Sequence, residues 1–477
     1  MTHKEINEGN YPNVGRDTLE GANIGRMSNR GRFSDNTRQI VAVTGIGAVT
    51  PVGATSAASF EAMCRGENGI RDIPKWKDAG FPITVGGAIN NNDLFDRERE
   101  IADAFQSRKA VFAVAALDEA LKMARGKTPT RKDSDMNENA NATPDSRAEA
   151  CREGRGGIFM GVETGRIDIQ KLFDMFRISG TRKGLDLKAF GEKSFQYLTP
   201  FEAVSKQPYF IPSLLARRFG LRGEIRAISN ACSSANQAIG EGFRKVASGA
   251  LDWAIVGGAD DMLDEYMAIG FHLLGALSTG LPADASSRPF DAGHRGFVLG
   301  EGAGMLVIEP LERALERGAE PLALIAGYGS GASAGKITET SWEGIHQTMS
   351  AAVSEAGVAL EDIDYINAHG TGTPMNDPAE TLAIKHLFGD HAANIPVSST
   401  KSMIGHLIAA AGAVEAVVCI ESIRHGMIHP TRNLVRKDAA CDLDYVAEGA
   451  RRKILRNVLS NSLGFAGINS TVLFQRP

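Results

Sequence analysis

Four residues that can do nucleophilic and proton-transfer chemistry stand where an apolar, strand-like run gives way to a helix-like run. Cys232 lies in ISNACSSANQAIG, His369 in YINAHGTGTPMNDPAE, and Lys401 and His406 lie five residues apart in SSTKSMIGHLIAAAG. A thiol at the start of a helix meets unpaired backbone N–H groups and the positive end of the helix dipole, which lower its pKa. We therefore predict that Cys232 is an activated nucleophile served by both imidazoles and the ammonium.

Each of these residues also has a simpler, structural interpretation. Cysteine is usually a small buried hydrophobe, and a lone histidine is more often a core or surface residue than a catalyst. The small neighbours Ala231, Ser233 and Ser234 leave room for a substrate beside Cys232. That clearance, and the recurrence of the same kind of junction at all four residues, favour the catalytic interpretation.

The elements that must position these residues follow an alternating pattern. Ordered structure is predicted to begin with a buried strand over Ile40 to Val43, and GIFMGV, GEIRAISN and DWAIVGGADD are further strands, with a helix between the last two. Continuous apolar strands alternating with helices are typical of a parallel or mixed sheet covered on both faces. The fold class is therefore α/β.

An internal repeat adds a second prediction. The order strand, small polar turn and helix occurs around Cys232 and again around Lys401, and residues 296–310 and 456–475 each suggest two strands joined by a glycine turn. The helix after Cys232 is amphipathic, whereas the one after His406 is apolar nearly all round, with Glu415 as its only charge. Two halves, 38–312 and 320–477, with these helices between two sheets, would explain the repeat.

Composition limits the classes of function. The 477 residues carry a formal net charge of −5, and the five scattered cysteines include no CxxC pair. We expect no nucleic acid partner, no membrane insertion, no metal site and a reducing, cytoplasmic location. Residues 1–37 are predicted to be a flexible N-terminal extension, and about 126–157 a polar insertion.

Five motifs together carry a resemblance to a known family. NACSSA, NAHGTGTPMND, SSTKSMIGHLIAAAGAVE, SNSLGFAGIN and SSRPFDAGHRGFVLGEGAGMLVIE occur in order over residues 38–477. The chain resembles the β-ketoacyl-acyl carrier protein synthases, closest to the type II condensing enzymes. The resemblance implies a thiolase-like fold, a five-layered αβαβα arrangement with two pseudo-repeated halves.

The resemblance also implies a reaction and the residues that perform it. Cys232 would accept an acyl chain, and malonyl-carrier protein would lose CO₂ and attack it in a Claisen condensation that adds two carbons. His369 and His406 would donate hydrogen bonds to the enolate, and the backbone N–H groups of Cys232 and Phe465 would form the oxyanion hole. Phe465 would also gate the cysteine.

Other roles are implied for the surrounding residues. Lys401 would organise the histidines together with a partner acid, Glu380, three residues after Asp377; a surface ion pair is the alternative for Glu380. Arg288, Asp291 and Arg295 would be scaffold.

Candidates for the acyl pocket are Glu163, Thr164 and Phe271. Glu163 and Thr164 stand where relatives usually carry a glycine-rich apolar segment, and Ala466 replaces a usual glycine beside the gate. The segment SGASAGKITETSWEG also lacks the histidine-containing loop expected of housekeeping members. A specialised lipid or polyketide substrate is therefore the alternative to fatty acid elongation.

The implied partners are acyl- and malonyl-loaded acyl carrier protein and a second copy in a homodimer, with no cofactor. Arg217, Arg218 and Arg222 form the best candidate docking patch, and a merely solvated face is the alternative.

Three rival functions remain open on a similar fold or residue set. A non-condensing chain-length-factor subunit would lack the nucleophile, and a biosynthetic thiolase would need a second cysteine near NSLGFAGIN. A cysteine hydrolase would need only one histidine. The presence of Cys232, both histidines and Lys401 favours decarboxylative condensation.

Overall fold

Strands and helices alternate along the chain. The computed structural model describes residues 38–105, 107–125, 151, 154–166, 168–334 and 340–477. The strands are β1 (Val41–Val49), β2 (Ile70–Asp72), β3 (Val85–Gly87), β4 (Gly156–Gly161), β5 (Gly180–Thr181), β6 (Gly184–Leu185), β7 (Glu224–Ile228), β8 (Trp253–Asp261), β9 (Glu301–Pro310), β10 (Ala323–Ala332), β11 (Tyr365–Asn367), β12 (Val397–Ser398), β13 (Met427–Ile428), β14 (Arg451–Arg452), β15 (Asn457–Leu463) and β16 (Ile468–Gln475).

The helices of the described residues lie between these strands. They are α1 (Ser56–Cys64), α2 (Pro74–Asp78), α3 (Asn92–Arg97), α4 (Arg99–Phe105), α5 (Arg108–Met123), α6 (Ile169–Ser179), α7 (Leu187–Ser194), α8 (Pro200–Ser205), α9 (Phe210–Phe219), α10 (Ser234–Ala247), α11 (Glu265–Leu273), α12 (Leu311–Glu316), α13 (Trp342–Ala356), α14 (Asn376–Phe388), α15 (Lys401–Ile404) and α16 (Ala411–His425). None of them is long and apolar enough to cross a membrane.

Two predicted segments fall largely outside the described residues. The N-terminal extension, 1–37, lies outside them entirely, as does most of the insertion at 126–157. The predicted end of the insertion is wrong, because Gly156 and Gly157 already pair with the neighbouring strands as the start of β4.

The large sheet is a duplication of one five-stranded pattern. Its strand order is β12-β11-β15-β16-β10-β1-β9-β8-β4-β7. In the first half β1 pairs antiparallel with β9, β9 antiparallel with β8, and β8, β4 and β7 run parallel. In the second half β10, β16, β15, β11 and β12 repeat these relations in the same order. β1 and β10 join the halves through a three-residue antiparallel pairing.

Helices cover and separate the two half-sheets. α5 packs on β1 and β9 from one side, α13 packs on β10 and β16 from the other, and α10 and α16 pack between the halves. Separate apolar clusters fill the outer layer of each half and the central layer. The five-layered thiolase-like fold is therefore confirmed, and residues 39–477 form one compact unit.

The two predicted hairpins have different outcomes. Residues 456–475 do form a hairpin, with β15 antiparallel to β16. Residues 296–310 do not, since β9 is a single strand between β1 and β8. Its Gly304 serves close packing: a Cβ there would lie 2.6 Å from the carbonyl carbon of Ala413 in α16.

Candidate active site

The first functional turn joins β7 to α10. The Ser234 hydroxyl accepts the Asn230 N–H at 2.8 Å and donates to the Ala231 carbonyl at 2.6 Å, which closes the turn on itself. Ala231 has a positive φ of 49°, a conformation unusual for a residue with a Cβ. This tight turn places Cys232, with 3% of its surface exposed, immediately before the helix.

The second functional turn leads from α15 towards α16. His406 lies between Gly405, with φ 75°, and Ile408, with φ 43°. The Ile408 N–H donates to Nδ1 of His406 at 3.2 Å. Because Nδ1 is thereby an acceptor, the proton of the neutral ring lies on Nε2.

His369 reaches the same place from β11. The Glu380 carboxylate on α14 accepts the backbone N–H groups of His369 and Gly370, each at 2.9 Å. The Asn461 amide of β15 donates to it at 3.1 Å. The Glu380 carboxylate of α14 thus fixes the loop after β11, and Asn461 of β15 holds that carboxylate in place.

The three side chains converge although they are far apart in sequence. Nε2 of His406 lies 2.9 Å from Sγ of Cys232, and the two imidazole rings meet edge to face with centroids 5.2 Å apart. Sγ and one ring nitrogen of each histidine lie within 4.8 Å of one another. They line a cavity of about 140 Å³ together with Phe465, Leu274 and Met375.

Burial sets the protonation of this trio. Burial, and then the nearby Lys401, hold the pKa of both His369 and His406 well below the usual histidine range. Burial raises the pKa of the Cys232 thiol to about 12, although Lys401 opposes this. The predicted low thiol pKa is therefore wrong, because loss of hydration outweighs the favourable charge at the helix start. The resting site holds a neutral thiol and two neutral imidazoles.

The partner of Lys401 differs from the predicted one. Its ammonium pairs with Glu415, and both side chains are almost fully buried. Glu380 instead binds backbone N–H groups, as described above, so its assignment as the partner of Lys401 is wrong. The sequence gives only a general signal, since a carboxylate in a largely apolar helix needs a cation, and α16 also buries Glu421, which pairs with Arg424 at 2.8 Å.

Asp377 connects the loop after β11, in the second half of the chain, to the segment around Phe290, in the first half. Its carboxylate accepts the Phe290 N–H at 2.7 Å and the Gly372 N–H at 3.1 Å, and Nδ1 of His294 lies 3.3 Å away. This contact with His294 was not predicted. Asp377 thus supports the loop that carries His369 and does not reach the cavity lining.

The segment 288–291 has the predicted scaffold character. Arg288 pairs with Asp291 at 2.9 Å, and Asp291 accepts the N–H groups of Val435 and Arg436. Arg295 is exposed.

Two phenylalanines flank Cys232. Phe465 lines the cavity, and its ring stacks on Phe271 with centroids 5.9 Å apart. Phe271 belongs to the same apolar cluster as Cys232. Ala466, next to Phe465, has φ 61°. An L-residue is strained in this left-handed conformation by about 1–2 kcal/mol, which explains the usual glycine.

Glu163 and Thr164, the other two acyl-pocket candidates, lie in different surroundings. Glu163 is half-buried, and its carboxylate accepts the hydroxyl of Ser229, three residues before Cys232, at 2.9 Å. Thr164 is exposed and lines a different cavity of about 740 Å³ beside Phe105 and Phe201. Arg166 donates to the Thr164 carbonyl at 3.2 Å.

The arginine patch lies away from the cavity. Arg217 and Arg218 are at the end of α9, and Arg222 precedes β7, whereas Cys232 follows it. A five-residue strand, about 16 Å long, separates Arg222 from the nucleophile turn. The rim of the cavity instead includes Leu274 and Met375, both exposed.

A thiol and two imidazoles are also possible zinc ligands. Within the described part of the chain, Cys232, His369 and His406 are the group whose spacing could hold a metal ion. The neighbouring Lys401 ammonium disfavours a cation there.

Comparison with known protein families gives separate matches for the two halves of the chain. Residues 38–314 match the family described as beta-ketoacyl synthase, N-terminal domain, and residues 322–435 match its C-terminal domain. The chain is 35% identical over 446 residues to 3-oxoacyl-[acyl-carrier-protein] synthase 2 of Staphylococcus aureus (strain COL), covering 93% of this chain and 99% of that protein.

Solved structures of ketosynthases superpose on it. A beta-ketoacyl synthase from Burkholderia phymatum STM815 has a TM-score of 0.78 at 30% identity, covering 92% of this chain and all of that one. A second match is AntDE:AntF, a type II PKS acyl-carrier protein in complex with its ketosynthase bound to the hexaketide. Its TM-score is 0.72 at 26% identity, with the same two coverages.

Proposed function

The chain belongs to the β-ketoacyl synthase family of acyl-transferring condensing enzymes, and we propose that it elongates fatty acyl chains on acyl carrier protein by two carbons. The observation that carries the proposal is the meeting of one thiol and two neutral imidazoles at one cavity. This set can hold an acyl group and stabilise an enolate beside it.

The first step is acyl transfer to Cys232. Sγ attacks the thioester carbonyl of acyl-carrier protein, the new C–S bond forms, and the bond to the carrier sulfur breaks. The thiol proton leaves with the carrier thiol. Backbone N–H groups of Cys232 and Phe465 stabilise the tetrahedral oxyanion.

The second step is decarboxylation. The bond between the malonyl carboxylate and its methylene carbon breaks, CO₂ leaves, and the electron pair forms an enolate on the carrier thioester. His369 and His406 donate N–H hydrogen bonds to the enolate oxygen. Because both rings are neutral, they stabilise this charge without protonating the carbanion.

The third step is condensation. The carbanion attacks the acyl carbonyl on Cys232, a C–C bond forms, and the C–S bond breaks. The Cys232 thiolate then takes up one proton from solvent, which balances the negative charge of the lost malonyl carboxylate and restores the resting thiol. Burial and then the positive charge of Lys401 keep both histidines neutral, and Glu415 pairs with that ammonium.

A specialised lipid or polyketide pathway is the second candidate. The observation that favours it is the half-buried Glu163 carboxylate beside the nucleophile turn, an unusual neighbour for a purely alkyl chain. The ketosynthase of the AntDE:AntF structure described above is bound to a hexaketide.

We further propose that the loaded carrier docks at the cavity rim and not on the arginine patch. A carrier-bound thioester has to enter where Leu274 and Met375 flank the opening. The arginines lie at the other end of β7.

A homodimer through β7 is also proposed. β7 ends the sheet order and has an intermediate to exposed surface, including Ile225. Unpaired edge strands pair readily with a second copy. Ile225→Lys should therefore shift the sedimentation coefficient towards that of a monomer; an unchanged value would contradict the assignment.

Five unpaired cysteines favour a reducing, cytoplasmic location.

An extension assay tests the function. Malonyl-carrier protein is combined with a series of acyl-carrier proteins and wild type, Cys232→Ala or His406→Ala, with Cys64→Ala as control for loss of a thiol outside the cavity. Wild type and Cys64→Ala should extend at least one acyl chain, and Cys232→Ala none. His406→Ala should be acylated on Cys232 but should not extend.

Two outcomes would overturn the proposal. Equal extension by wild type and Cys232→Ala would remove the nucleophile. Decarboxylation of malonyl-carrier protein by the wild type without extension of any acyl chain would indicate a non-condensing subunit.

A further inference from the structure

An ion network packs against the turn that carries His406. Asp260, fully buried at the end of β8, accepts the Ala409 N–H on Oδ2 at 3.2 Å. Its Oδ1 accepts Nζ of Lys109 at 3.3 Å and the Asp261 N–H at 3.0 Å. Both oxygens of this carboxylate are therefore bound.

The cation of this network is equally enclosed. The Lys109 side chain, on α5, is 5% exposed, and its Nζ also lies 3.2 Å from Oδ1 of Asp261 and 3.1 Å from the Glu163 carbonyl. An ammonium has three N–H donors, and three acceptors surround it here. Such a pair stays ionised because each charge compensates the burial of the other.

The turn itself is strained. Ile408 is β-branched and has φ 43°, a strained conformation that persists only where the surrounding structure holds it. Two contacts do so: Ile408 N–H donates to Nδ1 of His406, and the next N–H, of Ala409, donates to Asp260. The first contact places the neutral ring proton on Nε2, towards Cys232.

The strands also leave room for the turn. A Cβ at Gly161 or Gly258 would lie 2.7 or 2.9 Å from the Ala409 carbonyl oxygen. Backbone glycines on two strands and a carboxylate on one of them therefore enclose the same residue of the turn.

We propose that Asp260 is a positioning residue for the condensation: held ionised by Lys109, it fixes residues 406–410 and so keeps the Nε2–H of His406 directed at the reacting atoms. The inference rests on the proposed function, since it assigns His406 the donor role described there. Asp260 acts through the turn and touches no substrate.

The proposal predicts an acidic limit to activity. Burial raises the pKa of Asp260 to about 6. The charged groups that face it are Lys109 from α5, Asp261 from β8, and Glu163 and Arg166 from the segment after β4. Below pH 6 the carboxylate gains a proton, and its hold on the turn weakens. Removal of Lys109 disfavours the ionised form, so the limit moves to higher pH.

The variant test compares two neighbouring aspartates. Asp260→Asn should slow malonyl decarboxylation at pH 7.5 at least tenfold, while iodoacetamide alkylation of Cys232 stays within twofold of wild type. Asp261→Asn, the matched control, loses a Lys109 contact but none to Ala409, and should decarboxylate within threefold of wild type. Equal rates for the two variants, or a parallel loss of alkylation in Asp260→Asn, would overturn the proposal.

A pH profile separates positioning from a general structural role. Wild-type decarboxylation should fall below about pH 6, in line with Asp260, and in Lys109→Gln the midpoint should move up by at least half a pH unit. An unmoved midpoint would overturn the proposal.

A spectroscopic readout needs neither variant nor acyl substrate. In wild-type protein with ¹⁵N-labelled histidine, the Nδ1 and Nε2 shifts of His406 should report the Nε2–H form at pH 7.5 and change with a midpoint near pH 6. Constant shifts between pH 5 and 7.5 would overturn the inference even if the variants do not fold. If the wild type extends no acyl chain, the proposed function fails, while these shifts still decide the role of Asp260.

Discussion

The turns that carry Cys232 and His406 lie on equivalent strands of the two halves, but they are built differently. The Cys232 turn closes through a serine hydroxyl and leads into α10, which is buried except for Glu241, Arg244 and the partly exposed Lys245 in its second half. The His406 turn precedes α16, whose residues 411–423 are all buried, and its surroundings include the Lys401–Glu415 and Lys109–Asp260 pairs.

The difference follows from what each turn has to present. A thiol is small and tolerates burial, so hydroxyl contacts are enough to place it. An imidazole used as a donor needs one tautomer and one ring orientation, which the turn supplies through a strained residue held from both sides. The duplication thus gives both turns equivalent supporting strands, and the buried ion pairs distinguish the surroundings of the His406 turn.

The largest expected effect is loss of the buried charge pair. Lys401→Ala leaves Glu415 buried without its cation and should lower the free energy of unfolding by about 3–5 kcal/mol. Lys401→Ala with Glu415→Gln should recover part of that loss. Urea denaturation of both variants measures it, with the exposed Lys188→Ala as control. A double variant less stable than Lys401→Ala would contradict a compensating pair.

The contact between the two turns should be sensitive to one methyl group. Gly161 lies between them: a Cβ there would be 2.4 Å from the Ala235 nitrogen and 2.7 Å from the Ala409 oxygen. Gly161→Ala should therefore cost about 1–3 kcal/mol and reduce decarboxylation. Gly270→Ala on α11, where a Cβ meets nothing within 4 Å, is the matched control and should not destabilise. Equal free energies of unfolding for Gly161→Ala and Gly270→Ala would show that the two turns can move apart without cost.

The pH dependence of alkylation examines the first turn alone. Because burial raises the pKa of Cys232 to about 12, the thiolate fraction should grow about tenfold per pH unit from pH 6 to 9. The iodoacetamide rate at Cys232, followed by mass spectrometry in a Cys64→Ala background, should rise in parallel. A plateau below pH 8 would restore the low thiol pKa that the helix start predicts.

The smallest effect is expected on the exposed face of α10. Glu241 is exposed, so Glu241→Ala should change the free energy of unfolding by less than about 0.5 kcal/mol. Glu415→Ala on α16 removes the partner of Lys401 and should cost several kcal/mol more. Similar losses for the two variants in thermal denaturation would remove the contrast between the helices.

Much of this fold could be predicted from local patterns. The apolar strands, the polar exposed positions of α10 and the largely apolar α16 follow from periodicity, which depends on neighbours within one element. The 456–475 hairpin was correct for the same reason. The 296–310 hairpin was wrong because glycines that signal a turn also allow a strand to approach a helix, and sequence spacing does not separate these uses.

The sequence by itself determined which groups can react and that two similar halves present them: one thiol, two imidazoles and a lysine at repeated junctions. Only the tertiary structure decided which acid pairs with Lys401, that the thiol and imidazoles rest neutral, and which nitrogen of His406 carries the proton. These properties depend on burial and on contacts such as Cys232 with His406, 174 residues apart. No local pattern specifies them, because hydration and charge at a buried site depend on every element packed around it.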